Sequence, residues 1–580
     1  MIFRYLKPFT PFILLAIVLL LGQAFADLLL PRYMAHIVNY GIAQSDTSVI
    51  FGYGVKMLLV AFVGISCAVG GGFFASKTAV GMGKNLRADV FKHVSKFALS
   101  EFDHFGTASL ITRTTNDVQQ IQITAFMSLR VMMRAPVMFL GAIVMAVYSD
   151  RGLSWILLTF LPVVIVLIFT ITRKALPLFR SIQKKLDALN LVLREHLVGI
   201  RIIRAFSRVG YEKRRFAKAN KDLTDTSLRV TRLMALLGPG TMFIMNGLTV
   251  VIIWAATFQI DAGDLQIGDM MAFIQYAMQI FISLSMMTMI FVLLPRAFAS
   301  GERIGEVLKM EATVLDAANR VRCVENRWRI VFNNVTFRYK QAENPSVNNV
   351  SFTAQPGETI AIIGGTGSGK STLLDLMLRY YDVESGAILL DGVEIRQIPQ
   401  EALRAQIAYV PQQAVLFSGS VYDNVRMGKM EATDQEVRHA CVVAQASEFI
   451  EQMPDGYHSM ISQGGINLSG GQKQRLSIAR ALVRKPKVYI FDDSFSALDY
   501  QTDARLRVAL TEETRGATVI MVAQRVSTIQ HADKILVMDN GSVIGMGTHQ
   551  ELLDSNDVYR EIVYSQWSED EIDTIWQKTS

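Results

Sequence analysis

The stretch "TIAIIGGTGSGKSTLLDLMLRYY", Thr359 to Tyr381, decides how the second half of this 580-residue chain folds. Thr359–Ile363 is apolar and β-branched and reads as a buried strand, whereas "LLDLMLRYY" has helical spacing. Between them lies G-x-x-x-x-G-K-[ST], the phosphate loop in the strand–loop–helix setting that it requires. Gly364, Gly365, Gly367 and Gly369, with Thr366 and Ser368 between them, let successive backbone N–H groups curl around phosphate oxygens. Lys370 is placed to reach the β and γ phosphates. The Ser371 hydroxyl is placed to ligate magnesium, and Thr372 completes the motif.

A second stretch, "VYIFDDSFSALD" (Val488 to Asp499), ends an apolar strand in two aspartates. Asp492 has the position of the carboxylate that helps hold magnesium, and Asp493 that of the group that activates water. Between the two stretches, "NLSGGQKQRLSIARAL" opens on a backbone-exposing turn, Ser469, Gly470, Gly471 and Gln472, at a predicted helix N-terminus.

The N-terminal half has a different composition. Hydrophobic residues are 51% of the chain and charged residues only 19%, and the apolar share is concentrated before about residue 300. A span needs about 20 apolar residues. Six are predicted, at about 11–31, 55–78, 126–148, 153–173, 233–260 and 268–297. Asp27 is the only charge in the first, and Arg130 and Arg134 lie in the third. Residues 173–232 carry sixteen Lys and Arg, whereas 261–269 carry none, so both termini are expected in the cytoplasm. The net charge of +7 is explained by a membrane surface and not by nucleic acid. Cys67, Cys323 and Cys441 are too scattered for a disulfide framework or a metal site. The first apolar run has no small-residue cleavage site at its end, which argues against a removed signal peptide.

The order of phosphate loop, "YVPQQ" (Tyr409 to Gln413), "LSGGQ" and "FDD" resembles the nucleotide-binding domains of ABC transporters. The six spans resemble the transmembrane half of ABC exporters. The resemblance implies an all-α six-helix transmembrane domain over 1–310, a linker at 311–327 and an α/β P-loop nucleotide-binding domain over 328–580. Cytoplasmic segments near 101–118 and 194–216 then match coupling helices. ATP and Mg2+ are the implied cofactors. Tyr339 is placed to stack on adenine. Gln412 contacts magnesium together with Ser371 and Asp492. Ser469, Gly471 and Gln472 face the γ-phosphate held by an opposite subunit, and Asp499 communicates across the dimer.

Two positions depart from the family pattern. Asp493 stands where a catalytic glutamate is usual, and Gln524 where a switch histidine is usual. A carboxylate must come within about 2.6–3.2 Å of the water that it activates. An amide, unlike imidazole, neither becomes a cation nor moves a proton. The expectation is a site that binds ATP and hydrolyses it slowly. A homodimer would repeat both departures in both sites, so the expected partner is a second, catalytically competent half-transporter whose site this chain's LSGGQ completes. This resembles the degenerate-site subunit of bacterial heterodimeric multidrug exporters and implies a bacterial plasma membrane. Drugs or other amphipathic compounds are the expected cargo, a lipid or peptide the alternative, and import less expected. Asp27, with Gln23 one turn before it, is an intramembrane polar candidate, as are Asn246 and Gln275. Met270, Met271, Met278, Met286, Met287 and Met289 give the last span a flexible thioether surface.

Overall fold

The structure, a computed structural model, describes residues 2–317, 328–340 and 342–566, with the side chains of residue 2 and of 288–292 outside the description. Expectations that rest on Met289, on Cys323, on linker residues 318–327 and on 567–580 therefore lie outside the described residues. The chain divides into two compact units, Met1–Ser95 with Ala108–Lys309, and Lys96–Thr107 with Met310–Ser580.

The first unit is all helix. It contains α1 (Thr10–His36) and α2 (Thr47–Val94), and, beyond a stretch that belongs to the other unit, α4 (Val118–Met127), α5 (Arg134–Ser149), α6 (Arg151–Val198), α7 (Val209–Ala235), α8 (Leu237–Asp261) and α9 (Ile267–Lys309). Among the described residues six segments are long and apolar enough to cross a membrane. At 1.5 Å per residue the 48-residue helices α2 and α6 run about 70 Å, more than twice a hydrocarbon core of about 30 Å. Their charged ends therefore extend beyond the apolar layer.

Two details of this unit differ from the spans read off the sequence. The first helix does not stop at Pro31 but continues through it to His36. Pro31 has no N–H, so the carbonyl of Asp27, four residues earlier, loses its helical donor. Gln279 of α9 replaces that donor, with Nε2 at 3.0 Å from the Asp27 carbonyl oxygen. Of the two arginines in the third span, Arg134 is paired, its Nη2 2.7 Å from the Asp27 carboxylate. One intramembrane charge on each of two helices is thus neutralised by the other.

The second unit begins with the short helix α3 (Leu99–Phe105) and then takes up everything from Met310. Residues 101–107 of the predicted 101–118 coupling segment therefore group with the C-terminal unit, and 108–118 with the first. The contacts show why: Ser100 Oγ lies 2.9 Å from Thr313 Oγ1, and Tyr381 OH donates to Asp103 Oδ2 at 3.0 Å. The 194–216 segment stays in the first unit, at the hairpin between α6 and α7, where Arg215 pairs with Glu195 at 2.6 Å.

The second unit is α/β. β1 (Ile330–Phe337), β2 (Val347–Ala354), β4 (Ser385–Leu390) and β5 (Val393–Glu394) make an antiparallel sheet ordered β2-β1-β4-β5. β3 (Thr359–Gly364), β6 (Ile407–Val410), β9 (Val488–Asp492), β10 (Thr518–Val522), β11 (Lys534–Asp539) and β12 (Ser542–Gly547) make a six-stranded sheet ordered β12-β11-β3-β10-β9-β6, parallel except for β12. A small pair joins β7 (Gly419–Ser420) to β8 (Met460–Ile461). The parallel strands read as continuous apolar runs because both sheet faces are covered. On one face Ile360, Ile362, Ile490 and Ile520 pack against Phe332 and Phe352 of the antiparallel sheet. On the other, Tyr489 and Phe491 pack on Leu476 and Leu482. This sandwich fixes the C-terminal ends of β3, β9 and β10 side by side, with Val522 in register with Asp492 and with Ile362.

Candidate functional site

Open parallel sheets hold ligands at the carboxyl ends of their strands. At that edge lies a cavity of about 360 Å³, lined by Gly364, Gly365, Thr366, Gly367, Lys370, Ser371, Gln412, Asp492, Asp493, Gln524 and, from the C-terminal end, Gln566.

The loop between β3 and α10 (Lys370–Met377) needs its glycines for more than phosphate access. A Cβ at Gly369, which has φ +96°, would come 2.2 Å from the Ser346 carbonyl oxygen. One at Gly364 would come 2.1 Å from that of Met538. These two positions are dictated by the protein's own backbone, whereas Gly365 has open space beside it. Lys370 folds back over the loop, donating to the carbonyl oxygens of Gly364 at 2.9 Å and Gly365 at 2.6 Å and to Ser368 Oγ at 3.3 Å. Burial pulls its pKa below the usual lysine value, against the attraction of Asp493 and Asp492.

Asp492 closes β9 and accepts from Ser371 Oγ at 3.2 Å and from Tyr409 OH at 3.4 Å. Asp493, the next residue, has φ +44°, a left-handed conformation that Asp tolerates better than most residues, and donates its backbone N–H to Val522 O at 2.9 Å. Its Oδ2 accepts from Gln524 Nε2 at 3.0 Å and from Gln412 Nε2 at 3.4 Å. Burial raises the pKa of both carboxyls. The two departures noted in the sequence, Asp493 and Gln524, are therefore hydrogen-bonded to each other at the cavity wall.

The remaining predicted residues lie elsewhere in the unit. Tyr339 faces a neighbouring pocket, its OH 3.1 Å from Thr372 Oγ1 and its ring edge-on to Tyr381 at 5.4 Å. Ser469 caps α11 (Gly470–Leu482) in a reciprocal box: Gln472 N–H bonds Ser469 Oγ at 3.3 Å, and Gln472 Oε1 accepts from Ser469 N–H at 2.9 Å. Ser469–Gln472 do not line the cavity of this chain, and Ser469 and Gly470 are exposed. Asp499 caps α12 (Tyr500–Glu513) through Thr502 N–H at 2.9 Å, a bond that holds its carboxyl below the ordinary range.

Sequence reasoning missed Gln566. It follows α13 (Asp557–Tyr564), donates Nε2 to the Gln524 carbonyl oxygen at 2.7 Å and accepts the Val526 N–H on Oε1 at 2.8 Å. One side-chain amide thus clamps both sides of the Gln524 loop, and no motif in the sequence marks it. In Gln566→Ala the Val526 amide is expected to exchange hydrogen about fivefold faster, as loss of one net hydrogen bond of about 1 kcal/mol implies. Unchanged exchange in peptides covering Gln524–Ile529 would show that the clamp is not formed.

Asp375 on α10 was also overlooked. Burial first, then repulsion from Asp492 and Asp103, raises its pKa to about 6. The unfolded chain releases this proton near pH 4, whereas the folded chain keeps it to about pH 6. Folding therefore becomes less favourable as pH rises through that window, and the loss persists above it. Asp375→Asn is expected to raise stability at pH 7.5 by about 2–3 kcal/mol at most and to change it little at pH 4. Denaturant unfolding of the nucleotide-free protein at both pH values measures this.

Residues 13–284 match the ABC transporter transmembrane region, and residues 347–496 match the ABC transporter family. An uncharacterized ABC transporter ATP-binding protein of Mycobacterium tuberculosis is 41% identical over 97% of both chains. The chain belongs to the ABC transporter family. An ATP-dependent lipid A-core flippase of Pseudomonas aeruginosa is 32% identical over 96% of this chain and 94% of its own. A probable multidrug resistance ABC transporter ATP-binding/permease protein of Bacillus subtilis is 32% identical over 94% of both. The solved structure of a bacterial Atm1-family ABC exporter with ATP bound superposes with a TM-score of 0.76, at 25% identity over 98% of both chains. With transmembrane and ATP-binding domains fused in one chain, the protein is an ABC exporter half-transporter of Atm1 type, a multi-pass membrane protein with an ABC ATPase domain.

Proposed function

We propose that this half-transporter works as one side of a heterodimeric exporter of amphipathic compounds from a bacterial cytoplasm, its own nucleotide site binding magnesium–ATP and hydrolysing it slowly. The contact between Gln524 Nε2 and Asp493 Oδ2, 3.0 Å, carries this reading.

The donor set suits the cofactor. Ser371 Oγ and Asp492 Oδ1 already converge at 3.2 Å, and with the Gln412 amide they offer the hard oxygens that Mg2+ prefers. Bound magnesium neutralises phosphate charge. Lys370 exchanges its loop carbonyls for phosphate oxygens, the Gly364–Gly369 N–H groups surround them, and Tyr339 supports the adenine. Asp493 is the base that takes the proton of the attacking water, and its short arm holds the carboxylate back. Gln524 orients that carboxylate without being able to carry the proton. The exposed Ser469–Gly470 end of this turn presents the N-terminus of α11 to the partner's nucleotide, and Asp499, one cap further on, adjoins the same interface. Both termini and the ATPase domain face the cytoplasm.

The test is ATP turnover by the purified chain alone and after co-expression with its partner. Low turnover alone and restoration by the partner are expected; rapid turnover by the homogeneous chain sinks the heterodimer reading. ATP-dependent uptake of a dye into inside-out vesicles tests export. The flippase relative supports lipid as a second cargo, and a fluorescent lipid in the same vesicles separates the two.

A further inference from the structure

We infer that the Asp27–Arg134 ion pair forms a subsite in the transmembrane unit for the head of a zwitterionic amphiphile, an inference that rests on the export reading and names its substrate class. The pair lines a cavity of about 260 Å³ together with Gln275, Ser283, Met138 and Met286. Charges inside a span are costly and are kept where they have a partner or a function. Here they have a partner, with Arg134 Nη2 2.7 Å from Asp27 Oδ2, yet packing does not close over them: the side chains stay 30% and 28% exposed. Nor is the guanidinium saturated, since Arg134 Nε is buried without a hydrogen-bond partner among the described residues.

The helix is held here by other means. Gln279 restores the hydrogen bond lost at Pro31, and Tyr276 OH donates to the Leu28 carbonyl at 3.1 Å. The charged pair is thus not needed to repair the backbone.

Its two signs select the ligand. A cationic head attracted to Asp27 must displace Arg134 and leave a guanidinium unpaired in an apolar setting, and an anionic head leaves the carboxylate unpaired. Stranding one member of a partly buried pair costs more than the new contact returns. A zwitterion exchanges both contacts at once, anion to Arg134 and cation to Asp27. Gln275 and Ser283 offer further hydrogen bonds to the head, while Met138 and Met286 offer thioether and methylene surface to the start of an apolar tail.

The experiment uses the full-length chain in maltoside micelles with a lysophosphatidylethanolamine carrying a fluorophore on its tail, read by anisotropy. Unlabelled competitors share one C14 chain: myristoyl lysophosphatidylethanolamine, monomyristoylglycerol and tetradecylamine. The zwitterion is expected to compete at least about tenfold better than the other two, the scale of a charge-assisted hydrogen bond. Asp27→Asn and Arg134→Gln should each remove that preference and leave monomyristoylglycerol unchanged. The reciprocal Asp27→Arg/Arg134→Asp chain should recover it, and it decides the matter if a single variant fails to fold. Absence of probe binding, equal competition by all three heads, or an equal loss for all three in the variants overturns the subsite. ATP-driven dye uptake is scored separately: uptake without head discrimination leaves export standing and removes only the subsite, whereas discrimination without uptake does the reverse.

Discussion

Lys370→Ala is expected to weaken nucleotide binding by about a hundredfold or more. The ammonium is half-buried and, among the described residues, bonded only to groups of its own loop, the carbonyls of Gly364 and Gly365 and the Ser368 hydroxyl. None of these is an anion, so an arriving phosphate is a better partner than any that it leaves. Each charge-assisted hydrogen bond is worth roughly 1.5–3 kcal/mol, and two of them exceed the 2.7 kcal/mol or so that a hundredfold change requires. Titration of the full-length chain with a fluorescent ATP analogue measures the effect. A loss of less than about threefold would mean that Lys370 does not reach the phosphates.

The second large effect is a gain. Asp493→Glu combined with Gln524→His is expected to raise ATP turnover by this chain's own site by about 10²-fold or more, within the roughly 10²–10⁴-fold range of general acid–base catalysis. The carboxylate now faces two neutral amides, Gln524 at 3.0 Å and Gln412 at 3.4 Å. An extra methylene advances it by about an ångström, and imidazole restores a group able to hold or pass a proton. Asp493→Glu alone should recover only part of the gain. Its left-handed φ of +44° also suits Asp better than Glu, which adds a small conformational cost. Turnover is measured at saturating ATP on the purified chain and its variants. Full recovery from Asp493→Glu alone would remove Gln524 from the argument, and no gain from the double variant would remove the slow-site reading.

Much of this molecule was legible in local patterns. The phosphate loop, the aspartate-terminated strand and the helix cap at Ser469 are each set by consecutive residues, so spacing alone locates them. Six apolar runs were legible for the same reason, since crossing hydrocarbon demands an uninterrupted length. Boundaries were less so. Pro31 read as the end of a helix, yet the helix runs through it, because Gln279, 248 positions later in the chain than Pro31, supplies the missing donor to Asp27. Arg130 and Arg134 weakened the third span on paper, and the counter-charge that admits Arg134 lies on another helix.

The 101–118 segment shows the same division. Its place between the second and third spans is legible in the sequence, but the bonds Tyr381–Asp103 and Ser100–Thr313 assign Leu99–Phe105 to the C-terminal unit. Gln566 is the extreme case: an ordinary glutamine after an ordinary helix, brought by the fold to both sides of the Gln524 loop. The sequence by itself determined the architecture, the place of the phosphate-loop motif and the residue types at positions 493 and 524, because these depend on residue type and near-neighbour order. Only the tertiary structure decided that the two departures touch, that Asp27 and Arg134 share a cavity and that Gln566 clamps the loop. These are pairings between residues 31 to 107 positions apart, and hydrogen-bond and charge partners at such separations are chosen by packing, which no local pattern encodes.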